Sequence, residues 1–126
     1  GMSVALRNLC KNAEKFFSIS CTFVEDGNPE VPNSSIASNL FRIAQEAVSN
    51  AVKHGRASEV TVTIKGAENV LELLIEDNGV GFPETLKEER GMGVDIMGYR
   101  ARVINARLSI QAEQGRGTMV RCVLSS

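Results

Sequence analysis
The chain has 126 residues, 43% of them apolar and 23% charged, which is the size and balance of one globular domain, residues 1–126, with a modest core. With 14 basic and 15 acidic residues the formal charge is -1, so no overall field draws nucleic acid or an acidic membrane surface, and any affinity for phosphate has to be local. No apolar run approaches the roughly 20 residues that span a bilayer, and the start of the chain lacks the order of a signal peptide, which reads as a soluble, cytoplasmic domain.

Val4 to Phe17 places Leu6, Leu9, Ala13, Phe16 and Phe17 at helical spacing, and Ser20 to Val24 is short, alternating and rich in strand formers. Between Glu25 and Ser35, the set Asp26, Gly27, Asn28, Pro29, Pro32 and Asn33 predicts a loop. From Ile36 the stripe Ile36, Leu40, Ile43, Ala44, Ala47, Val48 and Ala51 predicts an amphipathic helix, capped by Asn33, Ser34 or Ser35 and stopping near His54-Gly55. Glu59 to Lys65 and Val70 to Glu76 read as a hairpin around Gly66 to Asn69. A polar, glycine-rich stretch from Asp77 to Met92 comes next, and Val94, Met97, Ala101 and Ile104 then mark a third helix. Leu108 to Glu113 and Thr118 to Leu124 end the chain as strands around Gln114-Gly115-Arg116-Gly117.

Hairpins impose antiparallel pairing, and the alternation of Val60, Val62 and Ile64 with Thr61, Thr63 and Lys65 implies one covered face. The expected fold is α+β, a two-layer α/β sandwich with helices on one face of a mixed, mostly antiparallel sheet. Cys10, Cys21 and Cys122 lie far apart in apolar-patterned segments without metal-ligand spacing, and read as reduced, buried thiols. Gly1 before Met2 reads as the remnant of a cleaved tag, which makes the chain a piece of a longer protein.

Some polar groups exceed what such a fold needs. On the helix from Ile36, Glu46, Asn50 and Lys53 fall within an arc of roughly 60°, beside the apolar stripe. They read either as a solvated helix face or as a site in which Asn50 offers an oxygen to magnesium, Glu46 orients or deprotonates a reacting group and Lys53 meets phosphate. An asparagine inside a helix is the awkward part of the first reading, because its side chain competes with the backbone. His54, the single histidine, suits a helix cap. Gly91-Met92-Gly93 before Val94 is either an anion site at a helix N-terminus or simply where a helix starts, and Gly115-Arg116-Gly117 is by itself a bulged hairpin turn.

Taken in order, Q-E-A-V-S-N-A-V-K-H-G (Gln45 to Gly55), D-N-G-V-G-F (Asp77 to Phe82), G-M-G (Gly91 to Gly93) and G-R-G-T (Gly115 to Thr118) resemble the four ATP-binding boxes of the GHKL superfamily of gyrase, Hsp90, MutL and histidine-kinase ATPase domains. The short spacing and the run G-V-D-I-M-G-Y-R-A-R-V-I-N-A-R-L-S-I (Gly93 to Ile110) look like the catalytic domains of nitrate-sensor-type and lipid-thermosensor-type bacterial sensor kinases. The resemblance implies a Bergerat fold that takes ATP with Mg2+ and passes the γ-phosphoryl group to a histidine on a separate helical dimerisation domain, and thence to a response regulator.

Carried over by position, Asp77 would bind the adenine amine, Gly81 would clear space for the base and Thr118 would assist through water. Gly79 and Gly117 belong to the same nucleotide-binding set. Asn50 would hold magnesium, Lys53 and His54 would contact phosphate or ribose, Gly91 and Gly93 would shape a lid over the phosphates, and Glu46 would be the acid associated with catalysis. Pro83 to Arg90, rich in charge, reads as the mobile part of that lid. Asn105-Ala106 stands where the family often has glycines. Because the single histidine lies in the first box, the chain is expected to lack its phosphoacceptor and not to autophosphorylate alone. No nucleic acid or membrane contact is expected of it, and the anchoring of a parent kinase stays open. An anti-sigma-factor serine kinase of the same fold is the alternative function, and a degenerate module that binds nucleotide only for assembly is a third; Tyr99 to Leu108 favours the sensor kinase.

Overall fold
The apolar stripe from Ile36 organises the molecule. In a computed structural model, which describes residues 1–81, 87–113 and 115–125 with the backbone alone over 87–92 and at 113, this stripe forms the central helix α2, Ser34–Lys53. Of the residues the spacing selects, Leu40, Ile43, Ala44, Ala47, Val48 and Ala51 are buried and Ile36 is partly buried, and Asn39 joins the buried set. Asn33 is the cap: its side-chain oxygen accepts from the Ile36 amide at 2.9 Å, satisfying one of the orphan donors of the first turn. Asn33→Ala should lower the free energy of unfolding by about 1 kcal/mol, read as a lower urea midpoint at unchanged slope.

Around α2 stand α1, Met2–Phe17, and α3, Lys87–Val103, over a five-stranded sheet. The strands are β1, Ser20–Gly27; β2, Glu59–Ala67; β3, Val70–Asp77; β4, Arg107–Glu113; and β5, Gly117–Ser125. Their order is β1-β2-β3-β5-β4; β1 runs parallel to β2 and every other pair is antiparallel. The α+β reading and the element order therefore hold. Leu6, Cys10 and Ala13 of α1, Val60, Val62 and Ile64 of β2, Leu71, Leu73 and Ile75 of β3, Val120 and Cys122 of β5 and Met97 and Ala101 of α3 join the α2 stripe in one apolar core.

Two boundaries differ from expectation. β1 continues through Glu25, Asp26 and Gly27, where turn residues predict a loop, because Ile64, Lys65 and Gly66 of β2 lie in register beside them and supply the ladder. Helix α3 begins at Lys87, seven residues before Val94, so Gly91 and Gly93 lie inside it. Lys, Glu and Arg at positions 87–90 are good helix formers, and a helix tolerates glycines at about 1 kcal/mol each when packing compensates. Of the expected lid, residues 83–86 lie outside the described residues.

Helix α3 closes at Asn105, whose φ of 55° is the left-handed conformation that usually calls for glycine. Asparagine tolerates it through its short polar side chain, and the Ala106 amide donates to the Ala101 carbonyl at 2.9 Å. The departure from the family's glycine is thus absorbed without loss of the turn. The three cysteines are buried and unbridged. A hydrogen bond with the Cys21 thiol, and then burial, hold the Cys10 proton well above the usual thiol range, while burial alone pushes Cys122 up to about 11.

Candidate functional site
The four glycine-bearing motifs converge on one end of the sheet. Asp77 is the last residue of β3, Gly117 and Thr118 open β5, and Asn50, Lys53 and His54 occupy the final turn and cap of α2. Three successive backbone hydrogen bonds join them. The Gly55 amide donates to the Asn50 carbonyl at 2.9 Å, the Val80 amide to the Gly55 carbonyl at 2.8 Å and the Gly115 amide to the Val80 carbonyl at 2.7 Å. The first, second and fourth motifs are therefore fixed to one another through main chain. Side-chain changes leave such a frame largely in place.

Close approach explains the glycines. A Cβ on Gly117, which has a φ of 92°, would stand 2.0 Å from the Asp77 carbonyl oxygen, and one on Gly79 would stand 2.5 Å from the Gly55 carbonyl oxygen. Gly81 adopts a φ of 77°, open to glycine and strained for other residues. The third motif joins through α3: a Cβ on Gly93 would stand 2.8 Å from the Asn50 amide nitrogen. Gly93 lets α3 lie directly against the Asn50 side chain. Gly91 and Gly93, read as either an anion site or a plain helix start, lie within α3 rather than at its N-terminal end.

At the centre, the Gly79 amide donates to Asp77 Oδ1 at 2.8 Å, so one carboxylate oxygen is committed to its own turn. Asp77, Thr118 and Asn50 share a cavity with Ala47, Ala51, Ile75, Met97, Ile110 and Val120. It measures about 10 Å³, room for one water at most. Met97 of α3, 1% exposed, helps fill it. Glu46 stands one turn before Asn50, half-buried, with Oε1 3.9 Å from Arg42. Lys53 is exposed, and His54 caps α2 with its amide 3.0 Å from the Asn50 carbonyl oxygen.

All the candidate residues thus lie about one end of the fold. Sequence reasoning missed the apolar lining, Met97, Ile110 and Val120, which carries an ordinary core pattern. It also gave Asn78 no role of its own. A cavity of about 940 Å³ lies elsewhere, lined by Asn28, Glu30, Val31, Pro32, the β2–β3 turn and Leu124. It contains none of the motif residues.

Residues 35–126 match the family described as "Histidine kinase-, DNA gyrase B-, and HSP90-like ATPase". The chain belongs to this family. Among members of this ATPase family with sensor roles, the nitrate/nitrite sensor protein NarX of Escherichia coli (strain K12) is 33% identical over 120 residues, 95% of this chain and 20% of NarX. Sensor histidine kinase ComP of Bacillus subtilis (strain 168) is 40% identical over 81 residues, 63% of this chain and 10% of ComP. The chain therefore spans a fifth or less of the length of these curated relatives. In structure, the ATP binding domain of PrrB from Mycobacterium tuberculosis is similar with a TM-score of 0.81 at 20% identity, over 99% of this chain and 93% of that one, a likeness of fold. No helix among the described residues of this ATPase domain is long and apolar enough to cross a membrane.

Proposed function
We propose that residues 1–126 form the ATP-binding catalytic module of a sensor histidine kinase, acting in the cytoplasm. In the reaction, the bond between the γ-phosphorus and the bridging oxygen of ATP breaks, ADP leaves, and a bond forms to a ring nitrogen of a histidine on a separate helical dimerisation domain. A response regulator then receives the group. The observation that carries this reading is the main-chain linkage of three motifs around Asp77, with Asn50 one residue-width from the third. Phosphoryl transfer asks a protein mainly for positioning and charge neutralisation, which a rigid backbone frame supplies.

Within it, Asp77 accepts the adenine amine through the oxygen not engaged by Gly79, Gly81 and Gly117 keep the loop clear of the base, and Thr118 assists. Lys53 and His54 reach phosphate or ribose, Gly91 and Gly93 shape the cover over the phosphates, and Glu46 is the acid near the reacting groups. The donor set suits magnesium. Among the described residues no three acidic, histidine or cysteine side chains gather into a metal cage. Asn50 offers one side-chain oxygen, and magnesium characteristically combines so few protein oxygens with waters and phosphate. When bound, the metal would neutralise phosphate charge.

The acceptor lies outside this chain. His54 is the single histidine and serves as the α2 cap, so the chain alone should not label itself. The test is to incubate it with radiolabelled ATP and magnesium, together with either a helical histidine-phosphoacceptor domain from a NarX-type kinase or a serine-bearing anti-anti-sigma protein. Acid-labile label on the helical domain is expected. Acid-stable phosphoserine on the second acceptor would instead establish the serine-kinase alternative, and magnesium-dependent binding without transfer to either would leave an assembly module.

A further inference from the structure
Asn78 follows Asp77 and is exposed, yet its side-chain oxygen, side-chain nitrogen and backbone amide are all hydrogen-bonded. Its Oδ1 accepts from two consecutive amides, Ser58 and Glu59, each at 2.9 Å. Its Nδ2 donates to Ser58 Oγ at 2.9 Å, and its own amide donates to the Glu59 carbonyl oxygen at 3.2 Å. An ordinary Asx turn bonds its own chain two residues on. These bonds instead reach 19 and 20 positions back, to the residues where β2 begins.

The opposite side of the turn is equally constrained. The start of β5 presses on it so closely that a Cβ on Gly117 would stand 3.2 Å from the Asn78 Cα as well as 2.0 Å from the Asp77 carbonyl oxygen. Asp77 therefore sits between a side-chain clamp on β2 and a backbone wall on β5, with its own Oδ1 tied to Gly79. The free torsions that could swing the carboxylate are restricted from three sides.

We infer that Asn78 is a positioning residue for base recognition: by clamping the turn to Ser58 and Glu59 it fixes where Asp77 presents its second oxygen, and so sets the discrimination of adenine from guanine. The inference rests on the reading of Asp77 as the adenine acceptor. Guanine carries a carbonyl where adenine carries its amine, so the carboxylate favours one base only while it is held in place. A loosened turn lets it move or admit water, and the advantage of ATP over GTP shrinks.

The test is calorimetric titration of this chain with ATP and with GTP, in magnesium, alongside circular dichroism to measure the folded fraction. Asn78→Ala should weaken ATP about tenfold, the size of one well-made hydrogen bond, and change GTP by less than about twofold, so that the preference narrows. Asn78→Asp should recover ATP affinity to within about threefold, since one carboxylate oxygen still accepts from both amides and the Ser58 hydroxyl can rotate to donate to the other. Should the alanine variant not fold, Asn78→Ser gives the same comparison, because its hydroxyl is too short to reach both amides. Unchanged ATP affinity and preference in the variants would overturn the inference, as would a proportional fall for both nucleotides, the mark of a purely structural role. A wild-type chain that binds ATP no better than GTP would remove the Asp77 reading itself, and that is visible before any variant is made.

Discussion
Asp77→Asn should weaken ATP binding by about a hundredfold, measured by calorimetry on a chain whose circular dichroism is unchanged. The carboxylate has two acceptor oxygens and the proposed site uses both. Oδ1 takes the Gly79 amide at 2.8 Å, and the other oxygen takes the adenine amine. Asparagine has one acceptor. If its oxygen keeps Gly79, its NH2 faces the adenine amine; if it turns over, the NH2 faces the Gly79 amide. Either way one donor meets another at a half-buried position. A buried donor left unmatched forfeits its full desolvation energy rather than the modest net value of a hydrogen bond. ATP affinity equal to wild type would refute the adenine assignment.

The second large effect separates binding from chemistry. Asn50→Ala should lower phosphoryl transfer to a supplied helical acceptor by more than about a hundredfold, while ATP affinity measured without magnesium stays within about threefold of wild type. The amide oxygen is proposed as the protein's contribution to the metal, so its loss removes charge neutralisation at the phosphates and leaves base recognition intact. The Asn50 carbonyl, which anchors Gly55, is main chain and survives the substitution. Equal loss of metal-free binding and transfer would instead make Asn50 a structural support for the nucleotide pocket.

Much of this architecture is legible in the residues. The α2 stripe from Ile36 to Ala51 has one face and one period, and its buried set in the structure is nearly the set the spacing selects. The hairpins follow from alternation broken by turn residues such as Asn69, whose φ of 61° is left-handed. What sequence hides is long-range. Glu25 to Gly27 look like turn chemistry until β2 is beside them, and nothing local announces parallel pairing with a strand some forty residues away.

The start of α3 is hidden for a similar reason. Gly91 and Gly93 weaken a helix locally, yet Gly93 is also what allows α3 to touch Asn50, a contact between elements far apart in sequence. Among the candidate site residues, glycines and acids were readable from type and spacing. Met97 and the clamp formed by Asn78 were not, because an apolar residue in a stripe and an asparagine in a turn are each fully explained by local structure.

The small cavity beside Asp77 has an energetic meaning of its own. About 10 Å³ cannot receive a purine, whereas Asp77 and Thr118 also border an open pocket of about 260 Å³ with Gln111, Arg116 and Gly117, so a base seated on the Met97 side would have to displace α3 and one seated on the other side would not. For a base seated on the Met97 side, the apparent dissociation constant would be an intrinsic one divided by the fraction of molecules already open. Affinity would then be a product of two equilibria, one chemical and one mechanical. A change at the distant Arg100–Asn39 contact between α3 and α2 would tune nucleotide binding without touching the nucleotide, by altering how often the door stands open.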